Sequence, residues 1–267
     1  ISACLVGSEM CIRDRVSALQ AVGRRPDVCL GETNTLPYMA RLRAPGAVRA
    51  LRKSGGVVGA ALPTSNGEKL FAMVKSIWPW ITPAENVWET VLINYNAIDH
   101  VATLLLNLGR VEGTNGPVLL WSEGATPGVV NAIEAVDGEL LALRQAIGLT
   151  NTKRYQDYLV EQGLVDEAKG TLRETLVASV LGSATFLGGP DALKSRYIIE
   201  DVPFALVLAS SIGDELSVDT PVIDGLIALA SATTLTDWRA QGRTLATWGL
   251  QGRGLDGLRR AADEGWW

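Results

Sequence analysis

The sequence predicts an α/β segment, the tail end of a doubly wound domain, that feeds a mostly α-helical domain. Three observations carry this expectation. From Asp27 to Pro63 short apolar runs alternate with glycines and prolines, the pattern of strands and turns. Past Pro83, from Glu85 up to Gly109, neither glycine nor proline intervenes and apolar residues recur at intervals of three and four. The remainder is a series of similar amphipathic stretches joined by short polar connections.

Taken in order, Asp27–Leu30, Ala47–Leu51 and Val57–Leu62 read as strands, and Gly67–Trp78 as a helix with Leu70, Val74 and Ile77 along one side. The boundary falls near Ile81–Ala84. Glu85–Gly109 is expected to form one long helix. A brief extended piece, Gly116–Trp121, then separates it from helices at Pro127–Ile147, Tyr155–Gln162, Asp166–Leu181, Glu200–Leu216 and Pro221–Thr233. The Gly- and Arg-rich tail from Gly249 is expected to be loosely held. The resulting organisation is residues 16–82 as the end of a doubly wound domain and 83–267 as a helical domain. Residues 1–15 (ISACLVGSEMCIRDR) resemble translated sequencing adapter found on unrelated metagenomic sequences and are set aside from fold reasoning. If native, Cys4-Leu5-Val6 would read as a strand.

The 267 residues are 47% hydrophobic and carry a net charge of −5, with Lys and Arg scattered instead of gathered into a stripe. That argues against a nucleic-acid partner. No apolar run reaches the ~18 residues of a membrane span. Cys4, Cys11 and Cys29 are too few for a disulfide framework or zinc site. A cytoplasmic protein with reduced thiols and no metal is the expectation.

One histidine occurs, His100, within Asn94-Tyr-Asn-Ala-Ile-Asp-His. Asn96 precedes it by one helical turn and Asn107 follows, a polar row on an apolar helix. Taken alone, a lone histidine there is more often a core or surface residue with no task than a catalyst. Ser195-Arg-Tyr-Ile-Ile-Glu-Asp-Val-Pro203 places two acids in the first turn of a helix. Dipole complementarity accounts for them; equally, Asp201 could face inward to orient an imidazole while Arg196 offers a planar fork to a carboxylate. Gly31-Glu-Thr-Asn-Thr-Leu-Pro-Tyr38 follows a strand, where α/β sheets bind ligands, or is an ordinary turn. Gly252-Arg-Gly-Leu-Asp-Gly257 matches a dinucleotide fingerprint but follows no clear strand and has no room for the rest of the unit, so it is rejected.

These pieces, in this order, resemble the octopine/nopaline (opine) dehydrogenase family. The carriers are Glu32-Thr-Asn-Thr-Leu-Pro-Tyr38, then Glu89-Thr…Asn94-Tyr-Asn…His100…Leu105-Leu-Asn-Leu-Gly-Arg-Val-Glu112, then Arg196-Tyr…Glu200-Asp-Val-Pro-Phe204. Val101 departs from the proline common in relatives after the histidine. The resemblance implies a Rossmann-type domain for NAD(H) or NADP(H), of which 16–82 would be the C-terminal remnant and whose glycine motif would lie upstream of residue 1. A helical domain similar to the C-terminal part of 6-phosphogluconate dehydrogenase would follow. It implies reductive condensation of an α-keto acid with an amino acid. His100 would be the acid/base, Asp201 its partner, Arg196 the carboxylate anchor, and Glu32, Thr33 and Asn96 further substrate-binding residues. A fragment of this kind is expected to be inactive alone. The alternatives are a 2-hydroxyacid or ketopantoate-type reductase of the same architecture, and a non-catalytic helical module, which would leave the polar row exposed and His100 remote from Asp201.

Overall fold

A computed structural model describes residues 30–265 together with Val16, Ala21 and Gly23. The 1–15 run, the three cysteines and the first three residues of the expected strand at Asp27–Leu30 lie outside the described residues. The chain opens with β1 (Leu30–Thr33), the hairpin β2 (Tyr38–Ala44) and β3 (Ala47–Lys53), and β4 (Val58–Leu62). β1 pairs antiparallel with β4, Leu30 opposite Leu62 and Thr33 opposite Gly59. After α1 (Gly67–Ile77), the short β5 (Thr82–Pro83) joins β4 in parallel. Glu32 and Thr33 are therefore the last residues of a strand, not a loop after one. β2 escaped the sequence reading because this hairpin is not a core element: Val48 is 65% exposed, so burial imposes no clear apolar face there.

The expected long helix is broken in two, α2 (Val87–Leu92) and α3 (Tyr95–Leu105). Asn94 causes the break, and Asn86 sets the start of the first piece. Asn86 accepts from the Trp88 amide and Asn94 from the Asn96 amide, at 2.9 and 3.1 Å. Each is an N-cap worth about 1 kcal/mol, and asparagine competes poorly for a helix interior. The helical path ends at Ile93 (φ −112°, ψ 30°) and restarts after Asn94. α3 is buried on nearly every side, as a central helix must be.

α4 (Leu108–Gly113), β6 (Pro117–Val118) and the long α5 (Pro127–Ile147) follow. α5 has the expected bounds because Pro127 suits a first turn and Gly148, at φ 92°, takes the left-handed conformation that stops a helix. Next come α6 (Tyr155–Glu161) and α7 (Leu172–Ala178). The latter is shorter than expected because Thr171 and Glu174 form a capping box that fixes its start. β7 (Phe186–Leu187) pairs with β6. The expected helix at Glu200–Leu216 is preceded by the short α8 (Arg196–Ile199) and divides into a π-helical turn over Val202–Leu206 and α9 (Val207–Leu216). Pro203 lacks an N–H and crowds the carbonyl four residues back, so a regular α-helix cannot pass through it unaltered.

α10 (Pro221–Thr234), α11 (Trp238–Gln241) and α12 (Gly254–Glu264) complete the chain. The tail is not loose. Leu258 and Ala262 are fully buried, the Trp88 indole donates to the Leu258 carbonyl at 2.8 Å, and the Thr64 hydroxyl donates to that of Ala262 at 3.0 Å. α12 thus fastens the strand-bearing part to the helical part. None of the described helices is long and apolar enough to cross a membrane.

Candidate active site

Breaking the helix at Asn94 places His100 in the middle of α3, against the α8 segment. Its Nδ1 lies 2.8 Å from Oδ2 of Asp201 across 101 positions of sequence, with both residues buried. Asp201 occupies the junction between α8 and the π turn, where a widened turn alters side-chain directions; such turns recur at functional sites. Tyr197, from α8, stacks on the imidazole at 3.7 Å between ring centroids and 9° between planes. Trp121 closes an edge at 6.1 Å. The ring is thereby fixed in plane as well as in tautomer, because a carboxylate at Nδ1 makes that nitrogen the proton bearer.

Asp99, beside His100 in sequence, is a second buried carboxylate. Its Oδ2 accepts the Trp121 indole N–H at 2.6 Å, and its Oδ1 lies 3.9 Å from Nε2 of His100. Burial raises the Asp99 carboxyl above its ordinary value, and Asp201 adds to this, while His100, Tyr155 and Trp121 oppose it. Burial, followed by the charge of Asp99, pushes the Tyr155 phenol well above its own range.

Of the residues singled out from sequence, His100 and Asp201 are brought together directly. Arg196 adjoins Tyr197 at the exposed start of α8, and it forms no ion pair with a described residue. Asn96 is half-buried one turn before His100. Glu32 accepts the Thr90 hydroxyl of α2 at 2.7 Å, and Thr33 donates to the Thr35 carbonyl at 2.8 Å in the turn that follows its strand. Asn107 does not continue the polar row. α3 has ended by then, and its amide donates to the carbonyls of Thr103 and Gly124 at 2.8 and 3.0 Å, fixing the following turn. Sequence reading missed Asp99, Tyr197, Trp121 and Tyr155 as parts of the site. For Asp99 a signal was present, a second acid abutting the one histidine on an apolar helix.

The rejected glycine run opens α12, and a carboxylate already holds its amides. Glu215 accepts from Gly252 N–H at 2.7 Å and from Gly254 N–H at 2.6 Å, so a pyrophosphate does not fit there. Among the described residues no group of three or more His, Cys, Asp and Glu could hold a metal ion.

Comparison with known proteins bears on this arrangement. Residues 83–234 match the model of the NAD/NADP octopine/nopaline dehydrogenase α-helical domain. An opine dehydrogenase of Arthrobacter sp. (strain 1C) is 34% identical over 240 residues, covering 89% of this chain and 65% of the relative. A vitopine synthase of Allorhizobium ampelinum is 25% identical over 230 residues, covering 84% of this chain and 61% of its own. In fold, the chain is similar to octopine dehydrogenase solved with NADH and agmatine, with a TM-score of 0.67, 17% identity, and coverage of 86% of this chain and 64% of that one. The structure with NADH and L-arginine matches at a TM-score of 0.66 and 18% identity, over the same shares. The chain spans somewhat under two thirds of the length of these relatives. With its helical domain matched from residue 83 to residue 234, the chain belongs to the octopine/nopaline dehydrogenase family.

Proposed function

We propose that this chain carries the catalytic domain of an NAD(P)H-dependent opine dehydrogenase, which condenses an α-keto acid with an amino acid and reduces the resulting C=N bond. The observation that carries the reading is the buried 2.8 Å contact between His100 and Asp201, made by residues far apart in sequence in a member of this family. A non-catalytic helical module has no need of it. NAD(H) or NADP(H) would supply the hydride when bound. We read residues 16–82 as the end of the nucleotide-binding domain and 83–267 as the catalytic domain.

In this reading His100 donates and recovers the proton at the reacting carbonyl or imine, and Asp201 stabilises the imidazolium and fixes its tautomer. Tyr197 keeps the ring from turning. Arg196, exposed and outside any ion pair with a described residue, offers both N–H donors of its fork to a substrate carboxylate. Asn96, Glu32 and Thr33 serve the amino-acid side. The solved octopine dehydrogenases were captured with NADH and L-arginine or pyruvate, which supports the same two substrate classes here.

The test is NADH and NADPH oxidation with pyruvate, with and without an amino acid, by this chain preceded by the nucleotide-binding region of the Arthrobacter relative. Turnover should require the amino acid, and His100→Ala should lower it about 10²–10⁴-fold, the usual range for a general acid/base. Turnover with keto acid alone would point instead to a carbonyl reductase. A His100→Ala variant within a few-fold of the parent would remove the catalytic reading. The chain on its own is expected to bind NADH weakly and not to turn over, and micromolar binding would contradict that.

A further inference from the structure

Asp201 is not the only acid near the imidazole. Asp99 is 3% exposed and sits in a helix interior, a position that neither helix propensity nor solvation favours for aspartate. The Trp121 indole N–H, a donor that cannot give up its proton, pins Oδ2 at 2.6 Å. The buried Tyr155 hydroxyl interacts with the same carboxylate. Both groups hold the carboxylate in place without neutralising it. Its Oδ1 stands 3.9 Å from Nε2 of His100, near enough for its charge to act and too far for a hydrogen bond.

We propose that Asp99 is a positioning residue for the His100 acid, bracketing the imidazole opposite Asp201 so that Nε2 keeps its proton and that N–H stays free for the substrate. Two buried carboxylates around a neutral imidazole would concentrate two negative charges in a site nearly closed to water; retention of one proton halves that charge. Asp201 uses the Nδ1 proton in a hydrogen bond. Asp99 contributes its field and consumes no donor. The other titratable or charged groups on elements packed against α3 do not offset this. Arg196 of α8 is exposed and Tyr155 of α6 interacts with Asp99; on α5, Arg144 is engaged by Tyr158 and the Lys153 carbonyl, Glu139 by the Val222 and Ile223 amides, and Asp137 by Arg154; Asp224 of α10 is paired with Arg239.

The proposal rests on the reading of His100 as the site's acid, but its test is independent of turnover. The tag-free chain has one histidine, so the imidazole signals in ¹H–¹⁵N NMR follow a single ring. Asp99→Asn should lower the pH at which that ring gives up its proton by about one unit, with the far-UV circular dichroism unchanged. Tyr155→Phe removes a donor from Asp99, favours its neutral form, and should shift the titration the same way by less; it takes over as the test if Asp99→Asn does not fold. A merely structural Asp99 would cost stability and leave the titration where it was. An unmoved titration in folded Asp99→Asn, or in Tyr155→Phe as its substitute, overturns the proposal. Asp201→Asn is the reference: if it too leaves the titration unmoved, the His100–Asp201 reading itself fails, whereas a shift with Asp201→Asn alone removes only Asp99.

Discussion

Two clusters of buried charge flank the break at Asn94, and they are finished differently. Around α2, both oxygens of buried Glu89 have donors, the Glu85 amide at 2.7 Å and the Asn151 amide group at 2.6 Å. Arg144, 1% exposed, donates to the Tyr158 hydroxyl and the Lys153 carbonyl, each at 2.9 Å, and Tyr158 donates in turn to Asn151 at 3.2 Å. Around α3, His100 has one nitrogen held at 2.8 Å and no described residue within hydrogen-bond distance of the other. The first cluster locks α2, α5 and α6 together. The second spends its hydrogen bond on orienting a ring and leaves the other ring nitrogen open. That open imidazole nitrogen, beside a ring already held from its other side, is where a ligand is expected.

The comparison breaks first at Arg144. Arg144→Ala leaves the Tyr158 hydroxyl and the Lys153 carbonyl without their donor and opens a cavity, so unfolding by urea should show a loss of about 3–5 kcal/mol. A loss below about 1 kcal/mol would mean that the α2 cluster is not scaffold. Next in size, Arg196→Lys replaces a planar fork by a point charge. In steady-state assays the KM for the keto acid should rise about tenfold while turnover stays within a few-fold.

The smallest expected effect concerns pH. Burial raises the Asp99 carboxyl in the folded state, so its contribution to stability is full below its ordinary value of 3.8 and is lost as pH rises through the folded value. Asp99→Asn has no such loss. Urea midpoints measured at a series of pH values upward from about 4 should therefore show the variant gaining on the parent as pH rises. A constant difference would mean that Asp99 titrates in the fold as it does unfolded.

Much of this was legible in the sequence where local chemistry and tertiary packing agree. α5 and α10 have proline at the first position, α5 a glycine after the last, and their bounds match the reading closely. Where an asparagine or proline altered a helix from within, at Asn94 and Pro203, apolar periodicity ran on across the interruption and hid it. The same holds for the site. His100 and Asp201 could be singled out by type and spacing, but the stacking of Tyr197 and the approach of Asp99 depend on the α3–α8 packing and on the π turn. No spacing rule encodes those. The α12 packing was missed because a Gly- and Arg-rich composition resembles a tail, although Leu258, Ala261 and Ala262 form its buried side.

The central claim is that His100 and Asp201 act as one unit, and a double-mutant cycle on turnover tests it most directly. Asp201→Asn should slow the reaction markedly in the parent. In the His100→Ala background the same change should cost no more than a few-fold, because the group it serves is gone. Costs that multiplied independently would contradict the pairing on which the account depends.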